Sequence, residues 1–249
     1  MITGTEIRNR AGESIDYSFH PGNCPDALVI LGHGLTGNKD RPLIVALADG
    51  LSGLGWPCLR ISFTGNGDSE GKFEDSCISK SIRDLQAVLD IVPPDVCVIY
   101  AGHSMGAAAG VLTAARDLRI RGLISLAGMT HTADFAAREF AGVTPGAGVI
   151  WEDENFPLSL TLVDDLNWVG STLSAAEAVT QPWLLIHGEA DDVVAILDGR
   201  DAFEAATCEK QWLEIAGGGH SFDESSYPQI VETVDHWLRA NFGGSTRLS

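Results

Sequence analysis

Basic residues are scarce in this chain. Sixteen Lys and Arg stand against 34 Asp and Glu in 249 residues, which leaves a formal net charge of −18 and a pI near 4.5. A surface this acidic repels phosphate backbones and anionic lipids, so neither a nucleic-acid partner nor a membrane-surface role is expected. Long apolar runs are missing too: none approaches the roughly 18 residues that span a bilayer. Residues 1–16 are mixed and polar, without the basic-then-apolar layout of a secretory leader. Cysteine is thin and scattered. Cys24, Cys58, Cys77, Cys97 and Cys208 are odd in number and form no CxxC pair, which predicts free thiols and a cytoplasmic setting. There is no HExxH, no paired His/Cys spacing, no internal repeat and no low-complexity tract, so neither a metal nor a cofactor is expected. What remains is an ordinary globular composition, 45% hydrophobic and 20% charged, which excludes disordered, collagen-like and coiled-coil classes.

Short apolar runs alternate with helix-like stretches. Residues 27–31 (ALVIL), 58–61, 96–101 (VCVIYA), 122–127 (GLISLA) and 183–187 (WLLIH) are nearly continuous in apolar side chains. Strands covered on both faces of a parallel sheet read this way. Between them, 42–54, 78–91, 105–118 and 227–241 carry apolar residues at three- and four-residue intervals, the period of an amphipathic helix. Ile15, Tyr17 and Phe19 alternate with polar neighbours like an antiparallel edge strand, and 212–215 is strand-like. The alternation predicts an α/β fold with a mostly parallel, doubly wound sheet. It lapses between 129 and 180, where Phe135, Phe140, Trp151, Phe156 and Trp168 lie among acids and glycines. So long an insertion with so many aromatics predicts a small cap, dividing the chain into a core (1–128 and 181–249) and a cap (129–180). The tail 243–249 (GGSTRLS) is expected to fray.

The sharpest motif is Gly102-His103-Ser104-Met105-Gly106, a G-x-S-x-G that follows one predicted strand and opens one predicted helix. That context places Ser104 at a tight strand-to-helix turn as a candidate nucleophile. A serine hydroxyl needs an adjacent base, and the base needs an orienting acid. Residues 187–194 (HGEADDVV) offer carboxylates just after a buried strand, and 217–222 (GGGHSF) offers His220 on a glycine-rich loop. His33 and His103 flank these motifs and are expected to pack or support. His20, His131, His187 and His236 have no motif behind them. The loop 33–37 (HGLTG) follows the first buried strand, where backbone N–H groups of Leu35 and of Met105 could hold an oxyanion. Gly32, Gly34 and Gly37 formally spell G-x-G-x-x-G, but the next strand, Arg60-Ile-Ser-Phe, ends without the acid a dinucleotide site needs.

HGLTG, GHSMG, GEADDVV and GGGHSF, in that order, resemble the α/β-hydrolase superfamily over 15–241. Within it the chain looks most like small bacterial carboxylesterases of the cinnamoyl (feruloyl) esterase type, through 33–40 (HGLTGNKD) and 71–75 (GKFED). The resemblance implies an α/β-hydrolase fold with a cap after the family's sixth strand and a serine-esterase triad. By likeness to G-x-x-D-x-x-V loops the acid is Asp191, with Asp192 second and Asp134 third. Ser62 stands where the family's usual turn has Asp, and Ala195 where its acid loop often has Pro. The implied activity is cleavage of a small-molecule carboxylic ester through an acyl-enzyme, by a monomer or homodimer. Trp151, Phe156 and Trp168 are candidate substrate-binding residues. A serine peptidase, thioesterase or acyltransferase would use the same triad, and a non-catalytic hydrolase-fold binding module is a further alternative.

Overall fold

The computed structural model describes residues 4–24 and 26–243; of the tail 243–249, all but Gly243 lies outside the described residues. The chain opens with a small hairpin, β1 (Ile7–Arg8) and β2 (Ser14–Ile15). It continues into a seven-stranded sheet made of β3 (Tyr17–His20), β4 (Ala27–Gly32), β5 (Cys58–Ile61), β6 (Cys97–His103), β7 (Ile120–Leu126), β8 (Trp183–Gly188) and β9 (Lys210–Ile215). Their order in space is β3-β5-β4-β6-β7-β8-β9. Only β3 runs antiparallel to its neighbour; every other pairing is parallel. The expected edge strand is therefore divided. Tyr17 and Phe19 sit on the sheet edge, while Ile15 pairs with Ile7 in the hairpin, both of them buried.

The sheet's two faces follow from strand alternation. On β4, Leu28 and Ile30 face one apolar cluster and Val29 and Leu31 the other. Helices α1 (Pro42–Gly53) and α8 (Tyr227–Phe242) cover one face through Leu43, Leu47, Val234 and Leu238. Helices α2 (Ile78–Ile91), α3 (Met105–Ala114), α6 (Leu173–Ala178) and α7 (Ile196–Ala205) cover the other. Helix α3 stops at Ala114, short of the expected 118, and Leu118 is exposed. Burial of both sheet faces explains why β4, β5 and β8 read as nearly continuous apolar runs. No helix among the described residues is long and apolar enough to cross a membrane.

After β7 the chain leaves the sheet. Helices α4 (Thr132–Glu139) and α5 (Leu160–Val169), with the turn Ile150–Glu152 between them, bury Phe135, Phe140, Ile150, Leu162 and Leu166 in a third cluster. That cluster includes Leu35 and Met105, so it is seated on the carboxyl ends of β4 and β6. Helix α6 does not join it: Ala176 and Val179 pack into the sheet's own cluster. The excursion's apolar residues thus divide between the two clusters at about Gly170, with α6 covering the sheet on the way into β8. Asp198 on α7 secures the exit from β7, its Oδ2 accepting the Thr130 and His131 N–H groups at 2.7 and 2.9 Å.

Candidate active site

Loops from the carboxyl ends of β4, β6, β8 and β9 meet at one edge of the sheet, where open α/β sheets gather ligands. Ser104 stands between β6 and α3 with φ 54° and ψ −121°, a left-handed conformation that costs a non-glycine residue of order 1–3 kcal/mol. Neighbouring glycines make room for this turn. A Cβ on Gly34 would sit 2.8 Å from Ser104 Cβ, and one on Gly106 would collide with the His33 carbonyl oxygen. This accounts for glycine in both HGLTG and GHSMG by close approach of backbone.

His220 reaches the same place from the loop after β9. Its Nδ1–H donates to Asp191 Oδ2 at 2.9 Å, and its carbonyl oxygen accepts His103 Nε2–H at 2.9 Å. The His103 ring also lies 4.8 Å from the His220 ring, so the base candidate is held by its backbone and on one face. Asp191 is more completely engaged. Its Oδ1 accepts the Val193 and Val194 N–H groups at 3.0 and 2.8 Å, and its Oδ2 lies 3.2 Å from His187 Nε2 as well as against His220. Burial would raise its pKa, but the bonds from His187 and His220, the charge of His220 and the Val194 N–H hold the carboxyl well below the usual carboxylate range. Asp192 and Asp134 are exposed, and neither is hydrogen-bonded to His220.

His187 is the residue sequence reading passed over. It is 1% exposed at the end of β8, donates from Nε2 to Val194 O at 2.9 Å, and stacks beside Trp212. A histidine closing an otherwise apolar strand run was the available signal, because a buried imidazole requires partners. His33 and His103 take the supporting places expected of them. His33 Nδ1–H donates to Gly34 O at 2.7 Å while its Nε2 accepts the Phe63 N–H at 2.9 Å, which fixes one neutral tautomer. Burial pushes His33 down to about 4 and His103 down to about 3.

Met105 is the first residue of α3, so its N–H has no acceptor within the helix. The Leu35 N–H, on the neighbouring loop, donates to no protein acceptor among the described residues. A cavity of about 520 Å³ is lined by Leu35, Ser104, Trp151, His220 and Tyr227 among others. Of the three cap aromatics expected to bind substrate, only Trp151 lines it, held in place by its Nε1–H donating to Glu139 Oε2 at 3.1 Å. Phe156 instead packs against Phe73, with the two rings tilted and 5.0 Å apart, beside the third apolar cluster. Trp168 is 78% exposed. Leu162 and Leu166 define the inward stripe of α5, and a residue two places beyond Leu166 falls on the opposite side.

Both family departures are accommodated. Ser62 Oγ accepts the Lys39 N–H at 3.1 Å in a fully buried position, and Ala195 caps α7 with φ −55°. Among the described residues no group of three or more His, Cys, Asp or Glu side chains could hold a metal ion.

Comparison with solved structures places the fold among known hydrolases. The chain is similar to the ferulic-acid-bound Est1E of Butyrivibrio proteoclasticus, with TM-score 0.81 and 23% identity over 96% of this chain and 100% of that one. It is also similar to an esterase domain from a Rhodothermus marinus protein, with TM-score 0.74 and 20% identity over 95% and 97% of the two chains. A monoacylglycerol lipase of Paleococcus ferrophilus gives 0.72 and 19% over 91% and 99%. Likeness at such identities is a likeness of fold. No curated protein matches the sequence. Residues 23–152, just over half of the chain, match the family described as Hydrolase_4, serine aminopeptidase S33. With its seven-stranded sheet, the GHSMG turn and that match together, the chain belongs to the S33 hydrolase family and has the α/β-hydrolase fold.

Proposed function

We propose that the protein is a serine esterase that cleaves small carboxylic esters by two-step acyl transfer. The observation that carries this reading is the 2.9 Å bond from His220 Nδ1 to Asp191, at a cavity whose floor is the strained Ser104 turn. In the reaction, Ser104 Oγ adds to the ester carbonyl while His220 Nε2 takes its proton. Asp191 fixes the imidazole tautomer and stabilises the imidazolium. The N–H groups of Leu35 and Met105 hold the tetrahedral oxyanion. As the carbonyl re-forms, the C–O bond to the alcohol breaks and His220 protonates the leaving oxygen. A water then gives its proton to His220 and its oxygen to the acyl carbon, and the acid departs as Ser104 recovers its proton. Among the described residues no hydrogen bond joins Ser104 Oγ to His220 Nε2; such contacts commonly shorten only when substrate binds.

Trp151, poised at the cavity wall, is the cap residue that contacts the acyl or alcohol group. A ferulic-acid complex in one structural neighbour and lipase activity in the name of another accord with an ester substrate. Aminopeptidase activity, which the family's name suggests, is the second reading. It needs an acid to receive a substrate's α-ammonium, and no Asp or Glu lines this cavity. The test is a fluorophosphonate probe, run beside p-nitrophenyl esters of rising chain length, methyl ferulate, an acyl thioester and an aminoacyl anilide. Labelling confined to Ser104, absent in Ser104→Ala, with esters cleaved ahead of the anilide, is the expected result. Labelling that survives Ser104→Ala, or preferred cleavage of the anilide, defeats the proposal.

A further inference from the structure

The cavity over Ser104 carries one permanently charged side chain, and it is a cation. Among the described residues no Asp, Glu or Lys lines it, whereas Arg41 does. Asp191 does not offset that charge within the cavity. Its side chain is fully covered, and its oxygens are already engaged by His220, His187 and two backbone N–H groups. The lining imidazoles of His33 and His103 are kept neutral by burial down to about 4 and about 3. In a chain of net charge −18 this cavity has a fixed charge opposite to that of the molecule around it.

Arg41 is placed rather than loose, and most of its bonding capacity is free. Its Nη2 donates to the Thr36 carbonyl oxygen at 2.8 Å, and Thr36 directly follows Leu35. Its nearest cationic neighbours are neutralised within the protein: Lys39 pairs with Asp16 and Asp40, and Arg60 pairs with Asp40. Arg41 has no ion pair among the described residues, and its Nε and Nη1 bond to no protein acceptor. A guanidinium with a free edge is a planar fork that matches a carboxylate by two parallel hydrogen bonds. Arg41 also directly precedes α1, whose Pro42, Leu43 and Ile44 form the same wall, so the positive end of that helix adds to the field.

We propose that the cavity takes esters bearing a carboxylate, which Arg41 pairs with while the Leu35 and Met105 N–H groups hold the carbonyl under attack. This rests on the esterase reading above and narrows its substrate class. Because Arg41 is tied to the residue beside Leu35, the carboxylate lies close to the reacting carbonyl. That geometry suits half-esters of short dicarboxylic acids, with the charge on the acyl side, or acyl esters of short hydroxy acids, with the charge on the alcohol side. The acidic exterior slows the approach of any anion, so the preference resides in the bound complex and weakens with salt.

The experiment measures binding apart from turnover. In Ser104→Ala protein, monomethyl glutarate is compared by calorimetry with neutral dimethyl glutarate, and 3-acetoxypropionate with its methyl ester. At low ionic strength one charged member of these pairs binds about tenfold more tightly than its neutral partner, as a charge-assisted pair in a partly open site provides, and the arm that shows the gap identifies the charged side. Adding Arg41→Gln removes the gap. Adding Arg121→Gln, which deletes the same charge from another exposed position, at the end of β7 away from the cavity, preserves it. Equal binding of charged and neutral members, no detectable binding of either carboxylate at about millimolar concentration, or a gap indifferent to Arg41→Gln overturns the proposal. Assaying the wild-type protein on the same esters separates the two readings. A binding gap without any turnover refutes ester cleavage and leaves the Arg41 pairing standing, while turnover without a gap does the reverse.

Discussion

The His187–Asp191 contact makes the most demanding prediction. Asp191 accepts four donors, and His187 Nε2 is the one that comes from neither the loop's own backbone nor His220. His187→Leu keeps an apolar side chain of moderate size in a site that is 1% exposed, but withdraws that donor and leaves Val194 O without its imidazole partner. A hydrogen bond to a charged group is worth about 1.5–3 kcal/mol. If all of that is felt as misplacement of the carboxylate, kcat falls by roughly 10- to 150-fold. His187→Gln, which can present an amide N–H from a similar position, recovers most of the loss.

The decisive reading is a double-mutant cycle in kcat. Asp191→Asn alone costs about 10⁴, the usual penalty for losing the orienting acid. In that background His187→Leu costs less than about threefold more, because its effect passes through a carboxylate that is no longer there. Thermal unfolding of each variant establishes that all four proteins are folded at the assay temperature. Should His187→Leu lower kcat by the same factor with and without Asp191, the histidine serves only packing and the reasoning fails.

The other expectations are briefer. Asp192→Asn, which alters an exposed side chain, stays within about tenfold of wild type in kcat/KM; a loss near 10⁴ would move the acid's role there. Because the Asp191 carboxyl lies below its ordinary value of 3.8 in the folded state, its stabilisation is complete above that pH and is lost as pH falls below it. Wild-type Tm therefore drops more steeply than that of Asp191→Asn below about pH 4, and parallel curves would contradict the assignment. Trp151→Ala changes the ratio of kcat/KM for aromatic over short esters by about 10- to 200-fold, while Trp168→Ala leaves that ratio alone. Ala195→Pro, at φ −55° and with an N–H that no acceptor among the described residues takes up, raises stability by about 0.4–1 kcal/mol, read as a Tm gain of a few degrees.

Much of this site was legible in the chain because its parts are local signals repeated at the same edge. A strand buried on both faces announces itself by an unbroken apolar run, and in a parallel sheet all such runs end on one side. Ser104 and Asp191 each follow such a run by a few residues, and His220 follows the half-buried strand β9 beside them, so topology brings together Ser104 and His220 from positions more than 100 residues apart in the chain. The glycines around Ser104 were legible for a similar reason: they answer a backbone crossing that any strand-to-helix turn of this kind creates.

What the sequence conceals is which way a side chain faces when no period governs it. The three aromatics of the 129–180 excursion look alike in composition, yet they separate in space into a cavity wall, a tilted ring pair and a solvent-exposed face. Trp168 could have been excluded once Leu162 and Leu166 were recognised as the buried stripe, because helical period then assigns it outward. Trp151 could not. Its orientation depends on two successive left-handed residues, Trp151 and Glu152, and on a bond to Glu139 from another element. Arg41 is hidden in the same way. In the sequence it is one more charge beside Lys39 and Asp40, and its neighbours cancel. In space Lys39 and Arg60 divide the nearby carboxylates between them, and Arg41 is left facing the cavity with its charge uncompensated. Net charge therefore describes the surface as a whole and not this wall: a surface that repels anions carries, at the exposed rim of the cavity, a cation free to hold one.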